Sequence, residues 1–280
     1  MWKEWPLVAF TIAGQMAVGF FLVAGFPLFL LDGSHAVGTT REEGLAVLAV
    51  VLGLLVAAAL LSFFHIHHPL RARSSLVNIR TSWLSREIFF ELVFIALVAV
   101  EIVLVWGVSA ASGLSRGVHV AAALAGILFL LSMIRLYMLE TLPLWNQAYT
   151  PLSFALTALS LGAIAAGFIW GGIFILLSLA FVAAEIVISF LLAPGHGVYR
   201  SRPTPSLRPP ADVPRYLHPA RLASSLAGLS LLGAALIWGR GRAVEGLNGK
   251  EWLVAAFALV LAGQLTGRFL FYGLLARPGR

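Results

Sequence analysis

Eight stretches of this 280-residue chain are each long and apolar enough to cross a lipid bilayer, and nothing else in the sequence restricts the fold as much. About 20 apolar residues in helical form span the hydrocarbon. No water is available at that depth, so the backbone must satisfy its own hydrogen bonds, and an apolar segment of this length crosses as a helix. The predicted spans are 5–31, 43–64, 86–108, 118–139, 151–170, 172–193, 220–239 and 252–275. Only a tight turn at Gly171-Gly172 separates the fifth from the sixth. The expected fold is an all-α integral membrane protein, a bundle of eight transmembrane helices with both termini on the same side. Charged residues are 11% of the sequence, against roughly 25% in a soluble domain, which leaves little mass outside the bilayer. Residues 1–280 therefore read as a single polytopic membrane domain.

An even number of spans defines two sides. Side A carries both termini and loops 65–85, 140–150 and 194–219. Side B carries 32–42, 109–117, the glycine turn and 240–251. Side A and its adjacent helix ends hold 14 of the 19 lysines and arginines, and side B holds five. The positive-inside rule then places side A, with the termini, in the cytoplasm. The net charge of +7 lies in these loops, so it reads as topology and as a docking surface, not as a nucleic-acid interface. The start, Met1-Trp2-Lys3-Glu4-Trp5-Pro6, lacks a basic n-region followed by a cleavage site, so the first helix is expected to be retained. Loop 194–219 holds seven prolines and four arginines and favours extended structure. It reads equally as a solvated linker or as a strap lying on a partner protein.

The sequence has no cysteine, which excludes a disulfide framework, a thiolate-ligated iron–sulfur cluster or a Cys-ligated haem within it. A bis-histidine haem needs two histidines at matching depth on facing helices. The seven histidines are His35, His65, His67, His68, His119, His196 and His218, and no pair is placed mid-membrane. No haem is expected. The His65–His67–His68 run is followed by Pro69, which suggests a turn and not a metal site.

Polar side chains inside a span are costly and usually functional. Gln15 falls near mid-depth on the first span, about 15 Å in from residue 5 at 1.5 Å per residue. His65 closes the second span. Arg86, Glu87 and Glu91 open the third, Arg135 and Glu140 end the fourth, and Gln264 and Arg268 lie in the last third of the eighth. Neighbouring spans run in opposite directions, so all of these except Gln15 gather in the side A half. Each has a bland reading by itself. His65 can be an interfacial histidine bonded to a carbonyl, Arg135 and Arg268 can snorkel, and Glu87 can be an acid favoured by the helix dipole. Their coincidence at one end points to a site. Glu101 and Glu185 read as deeper, at mid-depth or towards side B, either buried in protonated form or marking a proton path from that side.

Several segments together carry a family resemblance. They are Glu4-Trp5-Pro6-Leu7 running to Gly14-Gln15, His65 to Arg71 with Pro69, and Leu84-Ser85-Arg86-Glu87-Ile88. Further on come Arg135-Leu136-Tyr137, Pro143 to Trp145, Thr150-Pro151, Ala262-Gly263-Gln264 to Gly267-Arg268, and Phe271-Tyr272-Gly273. The sequence resembles the membrane anchor subunit of dimethyl sulfoxide reductase-type molybdoenzymes from end to end. The resemblance implies a haem-free, eight-helix subunit that binds a quinol near its interface with an iron–sulfur subunit. That subunit would pass electrons to or from a molybdopterin catalytic subunit. The histidine and glutamate associated with the quinol in such anchors match His65 and Glu87. Arg71, Arg135, Gln15, Gln264 and Arg268 complete the expected quinone-binding set, with menaquinone or ubiquinone as the bound substrate. The sequence departs from the pattern with His67 and His68, where small residues are usual, and with Gln264, where an acid is common.

The residue types suit that chemistry. Oxidising a quinol releases two electrons and two protons. Histidine titrates in the useful range, and a carboxylate at a water-accessible rim can relay protons. Arginine can orient a carbonyl or stabilise negative charge. Two other functions stay open on the sequence. A transporter or channel would often show internal repeats and broken helices at the midplane, and no repeat is visible. A purely structural anchor would carry no redox role.

Overall fold

The computed structural model describes residues 5–25, 40–65, 78–107, 113–140, 145–192, 217–238 and 249–273, with side chains placed in these segments except at 63–65 and 238. They form eight helices: α1 Trp5–Gly25, α2 Arg41–His65, α3 Trp83–Gly107, α4 Gly113–Tyr137, α5 Tyr149–Trp170, α6 Gly172–Leu192, α7 Leu217–Trp238 and α8 Gly249–Gly273. All eight are long and apolar enough to cross a membrane. Several start a turn earlier than their apolar runs suggest, as α3, α4, α7 and α8 do, because a polar first turn can be helical outside the hydrocarbon. The predicted extension of the first span to residue 31 lies outside the described residues, as do Arg71 and the proline-rich loop 194–216.

Local chemistry accounts for the helix starts. Thr40 and Glu43 form a reciprocal capping box at α2: Glu43 N donates to Thr40 Oγ1 at 3.2 Å, and Thr40 N donates to Glu43 Oε2 at 2.9 Å. Ser82 caps α3 by accepting from Ser85 N at 3.3 Å. Between α5 and α6 the backbone reverses at Gly171 and Gly172, with φ of 62° and 45°. Residues with side chains rarely adopt that conformation, and a two-glycine turn there lets two long helices follow each other without a loop.

The helices form two rings of four. In the first, α1 packs on α2, α2 on α3, α3 on α4, and α4 back on α1. In the second, α5 packs on α6, α6 on α7, α7 on α8, and α8 back on α5. The sequence shows no repeat, yet the architecture is duplicated. Helices α1 and α5 join the rings, and two-thirds of each is buried, against 28–44% for the other six. Their crossing is at backbone contact. A Cβ built on Gly19 would collide with the Ala158 carbonyl, and one on Gly162 would collide with the Gly19 carbonyl carbon. Small residues at such a crossing let two membrane helices approach closely enough for dense packing. The apolar core follows this plan. One cluster, including Phe21, Leu48, Phe94 and Phe129, fills the first ring, and a second, including Leu161, Ile164, Leu232 and Val260, fills the other. Outward faces carry exposed Val103, Trp106, Leu191 and Ile237, the surface a lipid environment covers.

Candidate functional site

Helix α3 presents one interior stripe: Glu87, Glu91, Phe94, Val98, Glu101 and Val105, alternating steps of four and three residues. The first two are carboxylates one turn apart, 2% and 4% exposed. Glu87 Oε1 and Glu91 Oε1 have no hydrogen-bond partner among the described residues. A buried carboxylate without a donor is costly, so this pair is the least satisfied part of the interior. Helix α2 packs against α3 and ends at His65, so its last residue and the first turn of α3 share side A. The His65 side chain and Arg71 lie outside the described residues.

An aromatic box closes the same end. Tyr137, the last residue of α4, and Tyr272, in the last turn of α8, bring their hydroxyls to 3.1 Å. Trp145 stacks on Phe271 at 4.9 Å and donates from Nε1 to Phe271 O at 3.0 Å. Tyr137 meets the Trp145 ring edge-on at 5.1 Å, and Phe154 and Phe271 complete the enclosure. Glu87 lies within electrostatic range of both tyrosine hydroxyls. The motifs Arg135-Leu136-Tyr137, Pro143 to Trp145 and Phe271-Tyr272 thus contribute through Tyr137, Trp145, Phe271 and Tyr272. None of these four is evident as a site residue from composition alone.

Behind the box runs a continuous polar network through five helices. Arg268 Nη2 donates to Gln15 Oε1 at 2.9 Å and lies 3.4 Å from Thr157 Oγ1. Thr157 Oγ1 is 2.8 Å from Gln264 Oε1 and 2.7 Å from Ser153 O, and its one hydrogen serves either acceptor. The Gln264 amide donates to Glu185 Oε2. Arg221 donates to Glu185 Oε1 at 3.1 Å and to Tyr149 Oη at 2.5 Å. Gln15 Nε2 reaches Met133 Sδ at 3.5 Å, which ties the network back to α4. The Arg268 guanidinium lies 3.6 Å over the Phe154 ring, a cation–π contact with little water present. Counted at 1.5 Å per residue, these groups sit about 6–15 Å in from the side A ends of their helices, except Tyr149, which begins α5.

Three sequence expectations meet different outcomes here. Gln15, Gln264 and Arg268 meet in one hydrogen-bonded network. Glu185 does not lie deep or towards side B. It is in the side A half, held by Arg221 and Gln264, and so marks no path from the opposite face. Its place follows from counting: it precedes the end of α6 by seven residues, two turns from side A. Arg135 is exposed on the outside of α4, with its guanidinium 6.0 Å from the Trp83 ring, while Arg86 lies 4.2 Å over the same ring. Neither arginine enters the interior. Sequence reasoning misses Arg221, Thr157 and Tyr149. Arg221 has a visible signal, an arginine within the first turns of a span.

At the opposite end of the first ring, Glu101 and His119 form a separate buried pair, Oε1 to Nδ1 at 2.8 Å, with the imidazole stacked on Phe21 at 4.5 Å. Phe94, Val98 and Phe129 separate it from Glu91 with apolar surface. No group of three His, Cys, Asp or Glu side chains able to hold a metal ion occurs among the described residues.

Comparison with known proteins matches residues 1–274 to the family described as DMSO reductase anchor subunit (DmsC). The YnfH subunit of anaerobic dimethyl sulfoxide reductase from Escherichia coli is 31% identical, over 98% of this sequence and 95% of its own length. The C subunit of anaerobic dimethyl sulfoxide reductase from the same organism is 30% identical over the same shares. The C subunit of the Haemophilus influenzae enzyme is 35% identical over 55% of this sequence and 54% of its own. No solved structure matches.

Proposed function

We propose that this protein, which belongs to the family of DMSO reductase anchor subunits, exchanges electrons between membrane quinol and an iron–sulfur partner at its side A end. Membership makes it a multi-pass membrane anchor of a molybdoenzyme. The partners are then an iron–sulfur electron-transfer subunit and a molybdopterin catalytic subunit, and the latter sets the terminal substrate, of sulfoxide reductase or sulfite dehydrogenase type. Menaquinone or ubiquinone is the substrate of this subunit, and neither haem nor an iron–sulfur cluster resides in it.

The observation that carries the proposal is Glu87. It is a buried carboxylate whose Oε1 has no hydrogen-bond partner among the described residues, within electrostatic range of two tyrosine hydroxyls and one helix turn from the end of the bundle. A quinol oxygen needs a group to accept its proton and donors to hold its ring, and a carboxylate at the same end of the bundle as two phenols offers both. His65, at the end of the adjacent helix, supplies the second proton-accepting group. The position near the rim matters because electrons must pass to a cluster outside the membrane. Trp145 and the ends of α4 and α8 would form the seat of the partner there.

The test replaces His65 and Glu87 separately, confirms that the complex still assembles in membranes, and measures quinol-coupled turnover. Both variants are expected to lose turnover while retaining electron transfer from artificial donors that bypass quinol. Wild-type quinol turnover in both would refute the assignment. Side A faces the cytoplasm in this proposal, on the 14-to-5 charge asymmetry. Protons released there build no transmembrane gradient. A reporter fused at Arg280 and active only in the periplasm would overturn that orientation.

A further inference from the structure

We infer that Arg268 is the group that stabilises negative charge on the quinol oxygen as its proton leaves, and that Glu185 sets how much positive charge Arg268 has to offer. The inference rests on the quinol reading above and assigns a role within that site. Arg268 is 3% exposed. Its hydrogen bonds among the described residues both leave Nη2, and both acceptors are neutral, Gln15 Oε1 and Thr157 Oγ1. One face of the guanidinium is covered by Phe154. Nε and Nη1 donate to nothing among the described residues. The carboxylate in the same network is bonded elsewhere: Arg221 donates to Glu185 Oε1 and the Gln264 amide to Oε2, and no bond joins Glu185 to Arg268 among the described residues. Arg221 itself lies across the helix beside Arg268, since a Cβ on Gly267 would meet Arg221 Nε at 2.8 Å.

The directly bonded cluster therefore holds two guanidinium groups and one carboxylate, all more than nine-tenths buried. It carries one positive charge in excess, in a place where an unpaired charge is expensive. A ligand that brings negative charge relieves that cost. The fields of Arg268 and of Glu87 both reach the bonded Tyr137–Tyr272 hydroxyl pair. The division of labour follows from the chemistry of the two groups. Arginine does not give up its proton, so it cannot act as the base; it can hold an anion. A carboxylate can take the proton. The quinol O–H bond breaks, the proton passes to a Glu87 oxygen, and the electron pair stays on the ring oxygen, facing a fixed cation. The second proton and the two electrons leave afterwards, the electrons to the iron–sulfur partner, giving the quinone.

The test compares two quinone probes of one ring size in membranes holding the assembled complex. Lawsone is an anionic hydroxynaphthoquinone at neutral pH, and menadione is its neutral methyl counterpart. Arg268→Gln is expected to weaken lawsone binding about 10- to 100-fold, the loss of a charge-assisted contact, while menadione changes less than about 3-fold. Arg268→Lys keeps the charge and should restore most of the lawsone affinity. Glu185→Gln should act in the opposite sense and tighten lawsone, because it removes the one negative charge of the cluster. A merely structural role predicts the same sign for all three variants and equal effects on both probes, and that outcome would overturn the inference. If the wild-type complex binds neither probe, the quinol reading fails and this inference with it. If wild type binds both and Arg268→Gln keeps the same preference for lawsone, only the inference fails.

Discussion

The two four-helix rings have the same plan but opposite polar interiors. In the second ring each oxygen of Glu185 has its own donor, and Arg221 is held by both Glu185 and Tyr149. In the first ring Glu87 and Glu91 each keep an oxygen without a partner among the described residues, although they are as deeply buried. The difference teaches how to tell support from function in a bundle of this kind. A buried charge whose bonding capacity is used up holds helices together. One left open, at the end of the bundle where a partner and a substrate can reach it, is available for chemistry. The Glu101–His119 pair at the other end of the first ring is bonded through Oε1, while Glu101 Oε2 also has no partner among the described residues; apolar side chains isolate the pair from Glu91.

Five substitutions would break or sharpen this contrast. The largest effect is expected where the rings meet. Gly162→Val puts atoms into the backbone of α1, which cannot rotate away, and should cost more than about 3 kcal/mol and abolish assembly. Gly53→Val, the same change on the open outer face of α2, meets nothing within 4 Å and should assemble normally, as judged by the amount of complex in membranes. Next comes Glu185→Ala, which leaves Arg221 buried without its carboxylate and should cost roughly 3–5 kcal/mol in resistance to thermal or detergent denaturation. Glu87→Gln should do the reverse. It removes a charge whose Oε1 has no donor among the described residues, so stability holds or rises, while quinol turnover falls about 10- to 100-fold. If Glu185→Ala proves stable and inactive, and Glu87→Gln unstable and active, the contrast between the rings is wrong. The smallest effect belongs to Arg135→Ala. Its exposed guanidinium makes only a distant contact with Trp83, so quinol turnover should stay within about 2-fold and stability within about 0.5 kcal/mol. A strong loss of electron transfer with normal quinol binding would instead place Arg135 at the partner interface.

Much of the outline was legible in the sequence because a bilayer imposes a local rule. About twenty apolar residues in a row must be a helix, and the end at which its polar residues sit follows from counting along spans that alternate in direction. That reasoning located all eight helices, the glycine turn, and the shared end of Glu87, Gln264 and Arg268, with Gln15 near mid-depth. It failed for Glu185, read as at mid-depth or towards side B although it lies two turns from side A, and it did not separate the two readings of Arg135, which faces outward. Counting gives depth but not rotation about the helix axis, and rotation decides whether a side chain meets lipid or a partner. The duplicated rings, the backbone contact of Gly19 with Gly162, and the polar network from Gln15 to Tyr149 are set by small residues far apart in sequence that let particular helices touch. Those contacts are non-local, so only the tertiary structure decides which buried charges are paired and which are left open.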